Sequence, residues 1–508
     1  MNSIKAGVSD NPWLVLAIIS CALLPIGIDM TVLNVALPRL TQELGATNSD
    51  KLWMVNAYSL VMAGLLPGFG ALADKIGHRT ILLVGMAVFG FSSLMAAFSP
   101  TPGVLIAARG MLAVGAAMIL PATISIVRLV FLKDQERATA IGIWGGVWSG
   151  SAALGPILGG LLLSQFWWGS VFLINVPLVI VTFMLTLRFI PHLPGNKAQH
   201  WDFVTSAFLT VSLIGLLYAL KGVLKVDTDW IDVATALGIG LVFGWLFLRR
   251  QAVQPSPLVD FGLFRNPRFS AGVGIAFVAT FGVMGLQYVI SQELQLVRGL
   301  SPLAAGLFVL PLAIASFVSG LVAGRYMLSV GISRMMSLTV AATAVGFIAY
   351  RFTGHLSPTG LELTVLALIG FGAGGAMAVA STAIMISAPE ERAGMAGSIE
   401  SISYELGGTM GVAILGSVLG NVYTRSFSPP PEADLPLGSG ASLEQAIAFT
   451  RDLPPDLTDQ VVHAGRTAYL SGVSASLTLA SVVMVLLLCA LLTVRRKTAQ
   501  VPAEPQSE

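Results

Sequence analysis

Apolar residues occur in long, uninterrupted stretches along this chain, not in the short alternations of a soluble protein. Fourteen of the stretches have about 20 residues, the length a helix needs to cross about 30 Å of hydrocarbon. The pattern therefore predicts an all-α polytopic membrane protein. The predicted spans begin near Trp13, Leu52, Thr80, Gly103, Arg137, Trp168, Phe203, Ile231, Arg268, Pro302, Gly331, Gly360, Ala393 and Arg466.

Composition supports this class and excludes several others. Of 508 residues, 55% are hydrophobic and 11% charged, whereas about a quarter of the residues of a soluble protein are charged. The formal charge of +2 gives no reason to expect a nucleic-acid partner. No Gly-x-x-x-x-Gly-Lys-Ser/Thr loop is present, which disfavours an ATP-driven pump. The five histidines have no ligand spacing, so we expect no metal, no cofactor and no enzymatic activity.

The sequence also contains an internal repeat, which predicts two homologous halves. A shift of 255 residues carries Glu136 in the loop after span four onto Glu391 in the loop after span twelve. The same shift carries the start of span one onto the start of span nine. We therefore expect a six-helix half over 1–190, two inserted helices within 191–267, and a second six-helix half over 268–508.

Loop charges and loop length complete the expected topology. Lys and Arg are most frequent in the loops on the side of the amino terminus, so both termini are expected to be cytoplasmic. The second half contains an external loop over 426–465, expected to be flexible or a small hairpin that shields the exit, or else a plain spacer. The last dozen residues form a cytoplasmic tail that is expected to be disordered.

Ionisable side chains within the spans are the first candidates for function, because charge is costly in hydrocarbon. They are Asp29 in span one, Arg109 in span four, and Glu400 and Glu405 in span thirteen. At about 1.5 Å of rise per residue, Asp29, Arg109 and Glu405 share one layer of the membrane. Glu400 is about 140° around the helix from Glu405 and is expected to meet another neighbour. A structural hydrogen bond to an adjacent helix is the alternative for Asp29.

Span five is unusually rich in glycine. Its small residues recur at intervals of four, which lets membrane helices approach closely, and its proline permits a kink. A tightly packed helix without further function is the simpler interpretation. The residues concerned are Gly146, Gly150, Gly155, Pro156, Gly159 and Gly160.

A short loop of alternating charge follows span two, between Gly70 and Arg79, and it resembles the loop signature of the major facilitator superfamily, which implies a cytoplasmic gate. Asp74 can face a helix amino terminus, while Lys75 and Arg79 can meet Asp134 or Glu136. The matching loop of the second half has no acid, so we expect an asymmetric gate. The gate residues are Gly70, Asp74, Lys75, Gly77 and Arg79.

These motifs resemble the fourteen-helix drug:proton antiporter family of the major facilitator superfamily, and most closely its quaternary ammonium and methyl viologen exporters (QacA and SmvA type). The resemblance rests on Ile28-Asp29-Met30-Thr31, the gate loop, Gly155-Pro156, and Glu400 with Glu405. It implies a bacterial inner-membrane protein in which Asp29, Glu400 and Glu405 serve proton coupling and cation recognition. Asn56 and Ala315-Ser316 stand where such proteins place further acids, which puts divalent cations in doubt.

The resemblance and the chemistry together predict a proton-coupled antiporter that exports lipophilic cations and acts as a monomer in membrane lipid. Aromatic rings can replace part of the hydration of such a cation. An exporter of an endogenous metabolite or siderophore, a proton-coupled importer, and a membrane enzyme or scaffold remain alternatives. The weaker candidates for the substrate pocket are Trp53, Asn56, Tyr58, Trp148 and Tyr404.

Overall fold

A computed structural model describes the chain as a bundle of long helices. It describes residues 11–46, 48–191, 195, 202–223, 228–254, 257, 259–353, 359–389, 393–433, 440, 442–450 and 453–499, among which no strand occurs. The helices are α1 (Pro12–Leu44), α2 (Asn48–Ile76), α3 (His78–Ala97), α4 (Pro102–Val130), α5 (Asp134–Gln165), α6 (Ser170–Leu173), α7 (Asn175–Phe189), α8 (Phe203–Val223), α9 (Trp230–Val253), α10 (Pro267–Gln292), α11 (Pro302–Val330), α12 (Ile332–Thr353), α13 (Thr359–Ser387), α14 (Ala393–Ser426), α15 (Leu443–Phe449) and α16 (Pro455–Ala499).

Fourteen helical segments of the described chain are long and apolar enough to cross a membrane, as predicted. The short α6 and α7 together form the sixth span, and α15 is the one helix outside the spans. The last span begins at Pro455, about ten residues before the predicted start. Because successive spans alternate in direction, α1 and α14 begin at the same membrane end, here called the N face, and both end at the opposite face.

The two halves repeat one packing pattern. In the first half α1 packs on α5, while α4 packs on both α2 and α3. In the second half α10 packs on α14, while α13 packs on both α11 and α12. The halves meet along two seams, α5 against α11 and α2 against α14. The architecture is therefore six plus two plus six, as expected, although the boundaries at residues 190 and 267 stay a prediction. The repeated Glu391 lies outside the described residues.

The inserted helices α8 and α9 lie at the periphery of the bundle. They pack on each other, and α8 packs on α2 through close approaches of Gly64 to Thr210 and of Gly68 to Ser206. Asp202 anchors the start of α8 by accepting a hydrogen bond from Arg250 at 2.7 Å. Burial opposes ionisation of Asp202, but the hydrogen bonds from Arg250 and Thr205 outweigh it and hold the pKa of Asp202 below its usual range.

The segment between α14 and α16 differs from the predicted flexible or hairpin loop. Its described residues include the turn Pro431–Ala433 and the helix α15, which packs on α16. Leu443 of α15 is buried with Tyr423 and Tyr469 in the core of the second half. The prediction was wrong because the few apolar side chains of this otherwise polar segment are stabilised by burial against the hydrophobic core of the second half. Residues 434–439, 441 and 451–452 of the loop lie outside the described chain, as does the tail from residue 500.

Candidate functional site

Asp29 and Arg109 form a buried ion pair inside the first half. Their side chains are 0% and 2% exposed, and Arg109 Nη1 donates to Asp29 Oδ2. Arg109 Nε also donates to the backbone oxygen of Met54 at 3.1 Å, and its Cζ lies 4.6 Å from the centre of the Tyr58 ring. The pair thus connects α1, α2 and α4. The predicted proximity of Asp29 and Arg109 is present, while any coupling role for them stays a prediction.

Asn175 of α7 gives Asp29 a further polar neighbour. Its amide nitrogen lies 3.5 Å from Asp29 Oδ1 and 3.5 Å from the Ser93 hydroxyl. Asn175 is fully buried, and sequence reasoning assigned it no role. The signal was available, because an amide among apolar residues at the start of a span must find partners.

A narrow cavity lies between the two halves, lined by residues of both. Met30 of α1 and Trp148 of α5 line it. Met30 follows Asp29 directly in sequence, but the two side chains point about 100° apart around the helix, so that Met30 faces the cavity and Asp29 faces Arg109. The cavity holds about 40 Å³ of space for the centres of water-sized spheres. That is room for a few water molecules, so an organic molecule can enter only after the halves move apart. The other lining residues are Ala152, Thr280, Val283, Met284, Gln287, Leu312, Ala313, Ser316, Ala373, Met377, Tyr404 and Glu405.

Glu405 is the one carboxylate that lines the cavity. It is 3% exposed, and among the described residues its Oε2 has no hydrogen-bond partner. No Lys or Arg in the described part of the chain forms an ion pair with it, although Asp29 has one. Asp29, Glu405 and Arg109 all lie within electrostatic reach of the Tyr58 hydroxyl. Of the two carboxylates, Asp29 is thus paired with Arg109 and Glu405 faces the cavity, while their common depth in the membrane stays a prediction.

Glu400 has a different environment, as the helical geometry predicts. It does not line the cavity, and it accepts a hydrogen bond of 3.0 Å from the hydroxyl of Tyr404. The same hydroxyl lies 3.3 Å from the backbone oxygen of Met377 on α13. Glu400 therefore orients Tyr404, whose ring is part of the cavity wall.

The structure divides the weaker pocket candidates. Trp148 and Tyr404 line the cavity, whereas Tyr58 lies behind it against Arg109. Trp53 was predicted as a pocket wall, but it stacks on Tyr218 of α8 with ring centres 5.7 Å apart, which is a packing contact between α2 and the inserted helices. The side chain of Asn56 lies outside the described residues.

Ser316 belongs to the pair Ala315-Ser316, at which the sequence resemblance implied an acid in similar proteins. This residue lines the cavity, and its hydroxyl donates to the backbone oxygen of Gly370 at 2.8 Å. The side chain at this position is thus neutral, and its hydroxyl hydrogen is already engaged. Glu405 consequently has no second carboxylate beside it in the described cavity wall.

The glycines of α5 allow the close packing that their spacing predicts. Gly155 and Gly159 lie against α1, where a β-carbon on Gly155 would collide with Thr31 and with the backbone at Ile28 and Val32. Thr31 donates a hydrogen bond of 2.5 Å to the backbone oxygen of Ala152 at the same contact. On the other side of α5, three further glycines and Pro156 contact α11, along one of the seams between the two halves. Those contacts are Gly146 and Gly150 with Phe317, Gly160 with Leu303, and Pro156 with Gly306.

Gly155→Ala is expected to destabilise the protein by about 1 to 3 kcal/mol, because the added methyl group overpacks the contact between α1 and α5. The matched control is Gly145→Ala in the same helix, since nothing lies within 4 Å of a β-carbon there. Thermal unfolding of both purified variants in detergent measures the difference. Equal stability of the two variants would contradict the assigned contact.

In the gate loop the predicted pairing with Glu136 is not formed, while the alternative pairing with Asp134 stays a prediction. Asp74 lies 3.6 Å from His78, and Arg79 donates to the backbone oxygen of Leu187 at 2.7 Å. Glu136 pairs with Lys133 at 3.0 Å, because a partner three residues away on the same helix end is nearer than the loop. The side chain of Asp134 lies outside the described residues.

The backbone conformation at Gly77 of the gate loop requires a glycine. Gly77 has a φ of 102°, in the region that side chains disfavour, and it lets α3 begin directly after α2. Gly331 occupies the equivalent place between α11 and α12, with a φ of 91°. The tight turn at glycine is thus repeated in both halves, although the second half has no acid equivalent to Asp74. Gly70 lies within α2, and Lys75 is in its last turn.

A second buried charge cluster was missed by sequence reasoning. Arg298 bridges Glu293 at 3.1 Å and Glu362 at 3.0 Å, and Tyr350 donates to Glu362 at 3.3 Å. The cluster joins the opposite-face ends of α10, α12 and α13. A charged pair five residues apart at the end of an apolar span was the available signal.

Comparisons with known proteins agree on the kind of protein. Residues 19–412 match the sequence profile of the Major Facilitator Superfamily. The chain is 39% identical over 478 residues to the methyl viologen resistance protein SmvA of Salmonella typhimurium, covering 94% of this chain and 96% of the relative. It is 34% identical to the multidrug efflux pump LfrA of Mycolicibacterium smegmatis, covering 93% and 94%.

A solved structure shares the fold. The human organic anion transporter MFSD10 superimposes with a TM-score of 0.65 at 14% identity, covering 95% of this chain and 99% of that one. At this identity the likeness concerns the architecture of the helices alone.

Proposed function

Because this chain belongs to the Major Facilitator Superfamily, it is a membrane transporter and not an enzyme, and we propose that it exports lipophilic organic cations in exchange for protons. The similarity to a methyl viologen resistance protein and a multidrug efflux pump over nearly their whole lengths supports export of foreign compounds. Substrate charge and proton coupling are argued below from the site.

The observation that carries the proposal is the environment of Glu405. A carboxylate without a cationic partner in the described structure lies on a wall that is otherwise mainly apolar and aromatic, with Thr280, Gln287 and Ser316 as its other polar side chains. Removing a charge from water is costly unless an opposite charge compensates it. A lipophilic cation supplies that charge, and its apolar body fits the remaining wall. Trp148 and Tyr404 add aromatic surface, worth about 0.5 to 2 kcal/mol for each cation–π contact.

The ion pair of Asp29 and Arg109 is suited to the proton step. While Arg109 neutralises Asp29, the pair carries no net charge and the first half can stay closed around it. A proton on Asp29 would release Arg109, which then needs another acceptor in the same layer. Glu405 and Arg109 both act electrostatically on the Tyr58 hydroxyl, so a released Arg109 would turn toward Glu405 and compete with a bound cation for its carboxylate. Such competition would make proton binding and cation binding mutually exclusive, so that uptake of a proton releases the cation, which is the requirement for exchange.

The proposal includes an orientation. With the N face cytoplasmic, the gate loop between α2 and α3 and both termini lie inside the cell, in agreement with the distribution of Lys and Arg. The protein would then lie in the inner membrane of a bacterium and move its substrate toward the opposite face. Protons entering from outside would drive that movement by rocking of the two halves.

Transport by inside-out membrane vesicles tests the function directly. Vesicles that contain the protein are expected to accumulate a fluorescent lipophilic monocation when a proton gradient is imposed, and to lose it when an uncoupler is added. A neutral dye of similar size is the control for the charge requirement. Accumulation of anionic metabolites without any cation transport would contradict cation export and favour an exporter of an endogenous metabolite.

A further inference from the structure

A groove on the membrane-facing side of the second half lies apart from the transport cavity. It has a volume of about 570 Å³ and runs between α12 and α16. None of its lining residues borders the cavity between the halves. The lining residues are Arg351 of α12 and Thr467, Leu470, Ser471, Ser474, Ala475 and Thr478 of α16.

The groove is polar and positively charged, which is unusual for a surface that contacts lipid. Among the described residues, its lining contains one arginine, four hydroxyl side chains and no acid. Arg351 Nε donates to the Thr478 hydroxyl at 3.3 Å. Within the described part of the chain its two terminal nitrogens donate to no residue. The guanidinium therefore keeps its charge and offers two parallel N–H groups to an anion, the geometry that suits a phosphate.

The depth of Arg351 in the membrane matches that of lipid phosphates. Arg351 lies in the last turn of α12, and α12 begins at the N face with Ile332. The intervening residues rise by about 28 Å at about 1.5 Å per residue, close to the roughly 30 Å thickness of the hydrocarbon core. Arg351 is thus at the headgroup level of the opposite face.

Deeper in the membrane the same groove line becomes apolar. One turn below Thr478, α16 presents Val482 and then Val485, which are 49% and 36% exposed. One turn below Arg351, α12 presents Ile348, which is 40% exposed. The surface is therefore polar at the membrane edge and apolar toward the centre, which is the polarity of a phospholipid.

From this geometry we infer that the groove binds a phospholipid, with its phosphate on Arg351 and an acyl chain along Ile348, Val482 and Val485. A lipid with a net negative headgroup is favoured, because the groove contributes a positive charge and no negative one. Phosphatidylglycerol fits this requirement better than phosphatidylethanolamine, whose ammonium group has no acid to meet here.

Native mass spectrometry of the purified full-length protein, titrated with each of these two lipids, tests the site. Arg351→Gln is expected to lower the occupancy of phosphatidylglycerol about tenfold, the effect of losing a charge-assisted hydrogen bond. Arg351→Lys, which keeps the charge without the planar fork, is expected to be intermediate. The matched control is Arg425→Gln, an exposed arginine in the last turn of α14 at the same membrane end.

Three results would overturn the proposal. Equal lipid occupancy in Arg351→Gln and Arg425→Gln would show that the groove has no specific role. Displacement of the bound lipid by glycerol phosphate at the same concentration would indicate a site for soluble phosphates. Loss of a dimer peak in Arg351→Gln, with unchanged lipid binding, would assign the groove to contact with a second copy of the chain.

Discussion

Glu405→Gln is expected to weaken binding of a lipophilic monocation about 100-fold, equivalent to about 2.7 kcal/mol. The substitution keeps the shape of the side chain in the cavity but removes the negative charge that compensates the cation. Equilibrium binding of a fluorescent cation to the purified protein in detergent measures the change. Proton-driven accumulation in vesicles is expected to fall with it.

Two further variants keep this result interpretable. Glu405→Asp retains the charge on a shorter side chain and is expected to keep part of the affinity. Asp232→Asn removes an exposed carboxylate from the first turn of α9, far from the cavity, and is expected to bind like the unaltered protein. Unchanged cation affinity in a folded Glu405→Gln protein would exclude Glu405 as the counter-charge and leave the proposed recognition without its basis.

Arg109→Gln is expected to destabilise the folded protein by about 3 to 5 kcal/mol, because it leaves the buried carboxylate of Asp29 without its cationic partner. Asp29→Asn is expected to be milder, since Arg109 still bonds to the Met54 backbone and rests on Tyr58. The double variant Asp29→Asn with Arg109→Gln is expected to recover most of the stability, because neither buried charge remains. Thermal unfolding of the four proteins in detergent forms a double-mutant cycle that isolates the pair.

The same four proteins separate folding from coupling. The double variant is expected to fold and to bind the cation, yet to show no proton-driven accumulation, because the proposed proton site is absent. Cation counterflow without a proton gradient provides the control, since it requires only binding and rocking of the halves. Full proton-driven transport by the double variant would move the coupling step away from Asp29, with Glu400 as the next candidate to examine.

Glu400 and Glu405 show why sequence position alone did not assign roles. Both lie on α14 within the membrane, and both carry the same functional group. The cavity is bordered by Glu405, whereas Glu400 accepts a hydrogen bond from Tyr404 one turn away. Helical periodicity predicted that they face different neighbours, but it could not identify those neighbours. That depends on how α14 packs against α10 and α2.

Trp53 and the gate loop illustrate the predictions that packing overturned. An aromatic residue near the end of a membrane helix can line a pocket or pack against another helix. Which of the two occurs depends on a packing partner that is distant in sequence. For Trp53 that partner is Tyr218 on an inserted helix. Glu136 at the start of α5, a predicted partner of the gate loop, pairs instead with Lys133 on its own helix end.

The sequence by itself determined the number and order of the membrane spans and the six plus two plus six organisation, and it predicted the membrane depth of the buried charges. It could do so because hydrocarbon requires long apolar helices, and because the rise of a helix converts residue number directly into depth. It also predicted that the glycines of α5 permit close contact, since only a missing side chain allows it.

The tertiary structure alone decided which charges meet. Pairing depends on the rotation of each helix about its axis and on the identity of its neighbours, which arise from packing over the whole bundle. For this reason Asp29 has Arg109 while Glu405 has a cavity, Arg298 gathers Glu293 and Glu362, and the groove at Arg351 became visible only once α12 and α16 lay side by side.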